Sequence, residues 1–356
     1  MNSDISGLGN DPAGAKPAGR LVVSLDFELY WGMRHLPRVS DYRANLIGAR
    51  TAVPALLGLF DEFDIHATWA TVGFLFLDGT RALSRSAPAL KPHYRNSRLS
   101  PYLDLPPEEA METADSVYFA PSLIRLIARS RNQEIGTHTF SHYYCQEVGA
   151  EEETFRDDLR AACDAAAKFD VHLKSLVFPQ NECRADFLAA CADAGIIAYR
   201  GNPRSWFHSS LPQAEHGYAR RLGRLLDSYL PLSDVCHQIA PWQGELPVNI
   251  PASQLLRPYT PRLRPCESLR LRRIKRDLSH AAEEGLLYHL WWHPHNFGTN
   301  TAVNLAFLRA ILEHFRSLRC RYGMKSQSMS EAAEELITSR PAADPLLDNS
   351  VHRQAV

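Results

Sequence analysis

The sequence predicts an α/β fold in which parallel strands alternate with helices along most of the chain. Short apolar runs of strand length recur between amphipathic segments of helix length, an order that is typical of parallel sheets. Polar, titratable side chains directly follow several of these apolar runs. Because the active sites of parallel α/β barrels collect at the carboxyl ends of the strands, we expect the functional residues at one rim.

Each element is predicted from a local signal. The apolar runs predict strands at residues 21–26, 66–72, 133–137, 174–178, 196–200 and 286–292. Helical periodicity predicts helices at about 43–63, 121–131, 151–169, 184–194, 268–284, 303–319 and 329–338. The acids of 151–169, for instance, fall in its first turns, where the helix dipole favours negative charge.

The remaining segments predict the domain organisation. Residues 80–118 and 202–266 show no sustained period, so we expect them to be irregular insertions. We expect a single folded domain over residues 20–340, with a flexible tail at 1–19 and a polar tail at 341–356.

The composition excludes several classes of protein. A formal net charge of −1 provides no attraction of the whole chain to nucleic acid or to an anionic membrane. No run approaches the roughly 20 apolar residues of a membrane span, and no secretory signal is visible. The seven cysteines are scattered and include no Cys-x-x-Cys pair. We therefore expect neither disulfides nor a thiolate zinc site, and we expect the protein to be cytoplasmic.

Two histidines and two acids form the main chemical signal. His138 and His142 are four residues apart, and Asp26 and Glu28 follow the first predicted strand. Side chains two apart on a strand point to the same side, so both carboxylates can face one cavity. Two histidines and one carboxylate form a metal site that leaves positions open for water and substrate. The other acid is then available as a general base.

A second signal follows the last predicted strand. The run from Tyr288 to Trp292 is very apolar and ends in His293-Pro-His295. An imidazole delivered after a buried strand suits a general acid that protonates a leaving group. We expect His289 to be a packed histidine, and His295 to be either a substrate contact or a residue of the rim.

These motifs resemble those of a known family. The segment from Ser24 to Gly32, the segment Gly136-Thr-His-Thr-Phe-Ser-His142 and the strand ending at His293 occur in the order found in polysaccharide deacetylases. The chain thus resembles the NodB-homology superfamily, carbohydrate esterase family 4, over about residues 20–335. Within that superfamily, it is most similar to a branch linked to O-antigen and other surface-polysaccharide biosynthesis.

The resemblance implies a fold and a set of roles. The fold would be a distorted (β/α) barrel of about seven strands, and the folded domain would be catalytic. His138 and His142 would bind a divalent metal, with zinc expected and cobalt, nickel or iron as alternatives. His293 would be the general acid and Asp26 the base. The family usually has two adjacent aspartates, whereas Phe27 separates Asp26 from Glu28 in this chain. In relatives that space the acids this way the second usually binds the metal, so the resemblance assigns Glu28 to the metal, and the swapped assignment stays open.

A second departure concerns the arginine that orients the base in the family. The nearest match to its Arg-x-Pro-Tyr motif is Phe178-Pro-Gln-Asn181, which lacks an arginine. Arg200, which ends the following predicted strand, is a candidate for the missing cation, and Asn181 for a contact to substrate or to bound water. Trp292 and other tryptophans (Trp206, Trp242, Trp291) are candidates for stacking on sugar rings; Trp291 and Trp292 cannot share a face.

The expected reaction is removal of an N-acetyl or similar acyl group from an amino sugar, with a water activated by the metal attacking the amide. The substrate would be a saccharide precursor, nucleotide-linked or lipid-linked. One alternative is hydrolysis of another C–N bond, such as an N-formyl or ureide group. Another alternative is a saccharide-binding protein without catalytic activity. A non-haem iron oxygenase also uses two histidines and a carboxylate, but the alternation of long helices with strands is not typical of that class. The eight basic residues of 257–276 are expected to be a solvated helix face or a phosphate-binding patch.

Overall fold

The computed structural model describes residues 16–34, 39–203, 218–238 and 242–339. Most of both predicted tails, Trp206 and part of the 202–266 insertion lie outside the described residues. The strands are β1 Arg20–Phe27, β2 Ala67–Thr71, β3 Gln133–Thr137, β4 Ser175–Leu176, β5 Ala198–Tyr199, β6 Val248–Asn249, β7 Gln254–Leu255, β8 Leu287–Trp292 and β9 Lys325–Gln327. The α-helices are α1 Tyr30–Met33, α2 Arg43–Phe63, α3 Thr80–Ser86, α4 Pro121–Arg129, α5 Glu152–Ala167, α6 Leu188–Asp193, α7 Tyr218–Asp227, α8 Glu267–Glu284, α9 Thr301–Tyr322 and α10 Met329–Thr338.

The strands form one parallel sheet with β1 near its middle. The strand order is β6-β5-β4-β3-β2-β1-β8-β7, and β9 pairs with the first residues of β1 on the side of β2. Every pairing between these strands is parallel. The α/β fold class predicted from the sequence is therefore confirmed.

The two ends of the sheet are joined by one stretch of chain. The amides of Val248, Ile250 and Ala252 donate to carbonyls at and beside β5. The amides of Ser253 and Leu256, a few residues later, donate to carbonyls of β8. The stretch from β6 to β7 therefore occupies one strand position between β5 and β8. With β1 to β5 and β8, it gives the seven positions of the expected distorted barrel.

Amphipathic helices cover the outside of the sheet. The apolar face of α2 is buried along its length, with Leu56 and Phe60 fully inaccessible. All eight residues of β1 are buried, because the strand lies between the barrel interior and the helices. The last helix, α10, begins with a capping box in which Ser328 and Glu331 satisfy backbone amides of its first turn. No helix of the described ranges is long and apolar enough to cross a membrane.

The structure corrects the prediction for residues 202–266. This stretch, expected to be irregular, contains α7, β6, β7 and a 3-10 segment over Pro261–Cys266. The strands escaped detection because each has two residues, too few for an alternating pattern to appear. The three-residue β9 was missed for the same reason. The helix expected at 184–194 is a 3-10 turn, Ala185–Phe187, followed by the short α6.

Candidate metal centre

Glu28, His138 and His142 meet in the barrel interior. The Nε2 atoms of both histidines lie 3.2 Å from Oε2 of Glu28, and all three side chains are buried. Their donor atoms lie within 4.8 Å of one another. Two atoms that each bind one tetrahedral ion at about 2.1 Å are roughly 3.4 Å apart. The separations therefore fit ligands of one metal ion.

Strand register brings these residues to one level. Phe27 of β1 is aligned with Thr71 of β2, which is aligned with Thr137 of β3. Glu28 and His138 each follow directly after this row, so both side chains emerge at the carboxyl edge of the sheet. A Cβ atom at Gly32 would lie 1.9 Å from Cδ of Glu28. A side chain at position 32 would therefore displace the carboxylate from its place beside the two histidines.

The segment between the two histidines is a tight loop, and its ends have left-handed backbone. Thr139 has φ of 62° and His142 has φ of 58°, a conformation that is uncommon for residues with a side chain. Asp158 of α5 holds the loop: its Oδ1 accepts from the amide of Phe140 at 2.7 Å, and its Oδ2 accepts from the Ser141 hydroxyl. The buried carboxylate therefore stabilises the loop that presents both histidines.

Hydrogen bonding and charge set the protonation state of the three candidate ligands. Nδ1 of His138 lies 2.8 Å from the carbonyl oxygen of Val177, which can only accept a hydrogen bond. Nδ1 therefore carries the imidazole proton, and the unprotonated Nε2 faces Glu28. Burial alone would raise the pKa of Glu28. The neighbouring His293, His138 and His142 outweigh burial and hold that pKa well below its usual value. Glu28 is therefore a carboxylate at neutral pH.

Asp26 is paired with an arginine and lies apart from the group formed by Glu28, His138 and His142. Nη1 and Nη2 of Arg200 donate to its two carboxylate oxygens at 2.8 and 2.7 Å. Burial would raise the pKa of Asp26, but the charge of Arg200, followed by those of His138 and His293, lowers it. The carboxylate is therefore ionised and fixed in orientation beside the candidate metal ligands.

Arg200 is itself held on several sides. Its Nη1 also donates to the Ser24 hydroxyl at 2.9 Å, and its Nη2 donates to Oδ1 of Asn181 at 2.7 Å. Its guanidinium lies over the Trp291 ring, 4.2 Å from the centroid. His289 contacts the same serine hydroxyl through Nε2 at 2.8 Å, and burial is the main cause that lowers its pKa to about 3. His289 is therefore a neutral, packed histidine, as expected.

His293 reaches the same cavity from β8. Its Nε2 lies 3.4 Å from Oε1 of Glu28 and 3.8 Å from Oδ2 of Asp26, and 24% of its side chain is exposed. On the far side of the ring, Nδ2 of Asn296 lies 3.5 Å from Nδ1. The imidazole is therefore between the two carboxylates and the solvent.

The other predicted site residues lie in different places. His295 is buried against Tyr42, and burial lowers the pKa of His295 to about 3. Asn181 contacts Arg200, as described above. Trp292 is fully buried between Phe60 and Phe297, so it belongs to the core and is not exposed for stacking on a sugar.

Ser24, Asp158 and Asn296 were not predicted as site residues. Ser24 could have been predicted, because it lies two residues before Asp26 on the same strand and its side chain therefore points to the same side as that of Asp26. Asp158 lies within a helix among other acids, and nothing in the sequence separates it from its solvated neighbours. Asn296, between the predicted His293 and His295, carried no metal or acid–base signal.

Comparison with known proteins identifies the fold. No family model matches the chain, and no curated sequence matches it. A solved structure from Mycobacterium smegmatis, assigned as a polysaccharide deacetylase, matches with a TM-score of 0.58 and 18% identity, covering 94% of this chain and 96% of that chain. One from Pseudomonas aeruginosa PAO1, also assigned as a polysaccharide deacetylase, has a TM-score of 0.52 and 13% identity over 96% and 100%. PuuE allantoinase has a TM-score of 0.53 and 13% identity over 96% and 99%.

The chain therefore has the α/β fold of NodB type, shared with these deacetylase and allantoinase structures. At such identities the likeness concerns the fold alone. What this chain does with its buried Glu-His-His group has to be argued from its own residues.

Proposed function

We propose that the protein is a metal-dependent hydrolase that removes an N-acetyl or similar acyl group from an amino sugar of a saccharide precursor. One observation carries the proposal: the Glu28-His138-His142 group lies beside an ionised Asp26 and a partly exposed His293. These groups provide a metal site, a base and an acid in one cavity, which are the parts that amide hydrolysis requires.

The donor set fits a divalent ion. Two imidazole nitrogens and one carboxylate oxygen suit zinc, which we expect, and also iron, cobalt or nickel. Held by Glu28, His138 and His142, such an ion would lower the pKa of water to about 7 and polarise a carbonyl group. The hydrogen bond from His138 to the Val177 carbonyl supports this assignment, because it leaves Nε2 unprotonated toward the site.

The remaining residues handle protons and orientation. Asp26 accepts the proton of the attacking water, and Arg200 keeps its carboxylate ionised and aimed. His293, the one partly exposed imidazole of the group, donates a proton to the departing amine. Trp291 packs between Arg200 and His293 and fixes both.

The proposal extends to the setting of the reaction. All seven cysteines are free thiols, which supports a reducing compartment such as the cytoplasm. We place the enzyme in the biosynthesis of a surface polysaccharide such as O-antigen, on the resemblance of its motifs. The likeness to PuuE allantoinase supports hydrolysis of a ureide as the second candidate.

Acetate release tests the proposed function. Purified protein loaded with zinc would be incubated with N-acetylated amino sugars, free, nucleotide-linked and lipid-linked, and with allantoin as the ureide. We expect acetate and a free amine from at least one sugar, and no release by the Asp26→Asn variant. Turnover of allantoin alone would replace the deacetylase with the second candidate. Sugar binding without any turnover by the zinc-loaded protein would contradict both and favour a silent binding protein.

A further inference from the structure

Four arginines are buried among the described residues: Arg20, Arg200, Arg270 and Arg273. Arg20, Arg270 and Arg273 form ion pairs with carboxylates of helices. The last two belong to the basic run 257–276, so the expectation of a solvated helix face is wrong for Arg270 and Arg273. The carboxylate that Arg200 binds is Asp26, the candidate base, and the contacts that hold Arg200 therefore bear on the candidate site.

The two terminal nitrogens of Arg200 use all of their hydrogens. Nη1 donates to Oδ1 of Asp26 at 2.8 Å and to the Ser24 oxygen at 2.9 Å. Nη2 donates to Oδ2 of Asp26 and to Oδ1 of Asn181, each at 2.7 Å. A guanidinium can only donate hydrogen bonds, so the Ser24 oxygen accepts from it. The hydroxyl hydrogen of Ser24 must then point elsewhere.

His289 binds that hydroxyl hydrogen. Its Nδ1 lies 3.1 Å from the carbonyl oxygen of Ile250, which can only accept, so Nδ1 carries a proton. Burial is the main cause that lowers the pKa of His289 to about 3, so the ring is neutral and Nε2 is unprotonated. Nε2 lies 2.8 Å from the Ser24 oxygen and accepts its hydrogen. The hydrogen bonds therefore have one direction, from Arg200 through Ser24 to His289.

This chain of hydrogen bonds crosses the barrel interior where the two ends of the sheet meet. Ser24 lies on β1, His289 on the neighbouring β8, and Arg200 directly after β5. Ile250 lies in the stretch from β6 to β7 that joins β5 to β8. Ser24, His289 and Arg200 are at most 1% exposed. Loss of the hydroxyl would therefore leave buried polar groups of Arg200 and His289 without a partner.

We propose that Ser24 and His289 are positioning residues for the candidate base. The Ser24 hydroxyl, oriented by the unprotonated Nε2 of His289, fixes Nη1 of Arg200 and thereby the orientation of the Asp26 carboxylate. A hydroxyl hydrogen directed at Arg200 instead would face a hydrogen of Nη1, and His289 prevents that orientation. This inference rests on the proposed function, because it assigns residues that act on its base through Arg200.

Nitrogen NMR of the His289 imidazole tests the hydrogen bonds without any turnover, so its result is independent of whether the protein is a deacetylase. At neutral pH, we expect a protonated Nδ1 and an unprotonated Nε2 in the wild type. The Nε2 resonance should shift in Ser24→Ala, because that variant lacks the hydroxyl donor. A protonated Nε2, or an Nε2 resonance that is the same in both proteins, would overturn the proposal.

Kinetics of the same variant test the positioning role. Ser24→Ala should lower kcat about tenfold or more, the size expected for loss of one hydrogen bond to a charged group. KM and metal content should change little, since the effect is on the base. Ser24→Thr keeps the hydroxyl and should retain most of kcat. In an Arg200→Lys background the fork is absent, so Ser24→Ala should lower kcat by at most about twofold further.

The matched control is Ser175→Ala. Ser175 is a fully buried serine of β4, and its hydroxyl donates to Oε1 of Glu134 at 2.6 Å, outside the candidate site. This variant should keep the kcat of the wild type. Thermal unfolding of each variant would confirm that it is folded.

The outcomes separate the positioning role from the proposed function. Wild-type kcat in a folded Ser24→Ala variant, or an equal loss of kcat from Ser24→Ala in the wild-type and Arg200→Lys backgrounds, would overturn the positioning role. If the zinc-loaded wild type turned over no substrate while the nitrogen spectra were as expected, the proposed function would fail and the directed hydrogen bonds would stand.

Discussion

Arg200 and Asp26 form a forked ion pair across the barrel interior, with Nη1 to Oδ1 at 2.8 Å and Nη2 to Oδ2 at 2.7 Å. The two residues come from β1 and from the end of β5, which are separated in the sheet by three other strands. Both side chains are at most 3% exposed. We propose that Arg200 provides, from a different strand, the cation that the segment Phe178-Pro-Gln-Asn181 lacks.

Replacement of Arg200 by lysine tests the role of the fork. A lysine keeps the charge but has one nitrogen, so it cannot bind both oxygens of Asp26 and the Asn181 side chain together. We expect kcat to fall about 10- to 100-fold, with metal content and KM little changed. The matched control is Arg309→Lys, which removes a similar fork to Glu62 at an exposed site and should leave kcat unchanged. Wild-type kcat in Arg200→Lys would contradict the role.

The metal content of two variants distinguishes the roles of Asp26 and Glu28, the two acids of the first motif. Glu28→Gln removes a charged ligand from the group formed with His138 and His142, so the variant should lose most of its metal. Asp26→Asn should retain the metal and lose turnover, since Asp26 is bound to Arg200. Inductively coupled plasma analysis of both variants provides the measurement. The reverse pattern would move the ligand role to Asp26, which the sequence left open.

His293 is tested through the leaving group. His293→Gln should slow hydrolysis of an N-acetyl amide about 100-fold or more, because an amine departs only with a proton. Hydrolysis of 4-nitrophenyl acetate should fall much less, since nitrophenolate leaves unprotonated. His280→Gln, at an exposed position of α8, serves as the control. Equal loss on both substrates would show that His293 positions substrate and does not act as the acid.

Glu182 predicts a dependence of stability on pH. Both of its carboxylate oxygens are buried, and the backbone amide of Gln146 offsets only part of the effect of that burial. Burial, followed by the charge of Glu147, raises its pKa to about 7 from 4.5. Between those two pH values the unfolded chain releases the proton and the folded chain keeps it. The free energy of unfolding therefore falls as pH rises from about 4.5 to 7 and is constant above that.

Glu182→Gln should remove this penalty. We expect the variant to be more stable than the wild type at pH 8, by about 1–3 kcal/mol in urea unfolding, and equal to it near pH 4. Glu109→Gln, at an exposed position, should change stability by no more than about 0.5 kcal/mol at either pH. A variant that is no more stable at pH 8 would mean that Glu182 is solvated or paired.

The sequence predicted the elements of this fold whose hydrophobic pattern extends over many residues. The 43–63 helix has the predicted bounds, and the strands that deliver Asp26, His138 and His293 occur where apolar runs predicted them. The two-residue strands β6 and β7 could not be predicted from their own residues. They are strands only because they form hydrogen bonds with β5 and β8. The helix α7, by contrast, is as long as the predicted α10 and strongly amphipathic, so its helical period could have been detected in the sequence.

Some of the candidate site residues could be predicted from the sequence, and others could not. His138, His142 and the two acids Asp26 and Glu28 were predicted from residue type and spacing, and the resemblance favoured Glu28 as the acid of the metal site. The structure brings Glu28 together with the two histidines. Asp158 was not predicted, because its role depends on a loop 18 residues away in sequence. Trp292 and Trp291 alternate on one strand, and only the packing of the barrel decides that Trp292 faces the core while Trp291 contacts Arg200.

The most direct test of the account is elemental analysis of the purified protein beside the double variant His138→Ala, His142→Ala. We predict about one zinc, iron, cobalt or nickel ion per wild-type chain after reconstitution, and loss of that ion in the double variant. Unfolding curves of the two proteins in the absence of metal would show that the variant is folded. A reconstituted wild type that holds no metal, or a folded double variant that holds as much as the wild type, would contradict the metal-dependent mechanism.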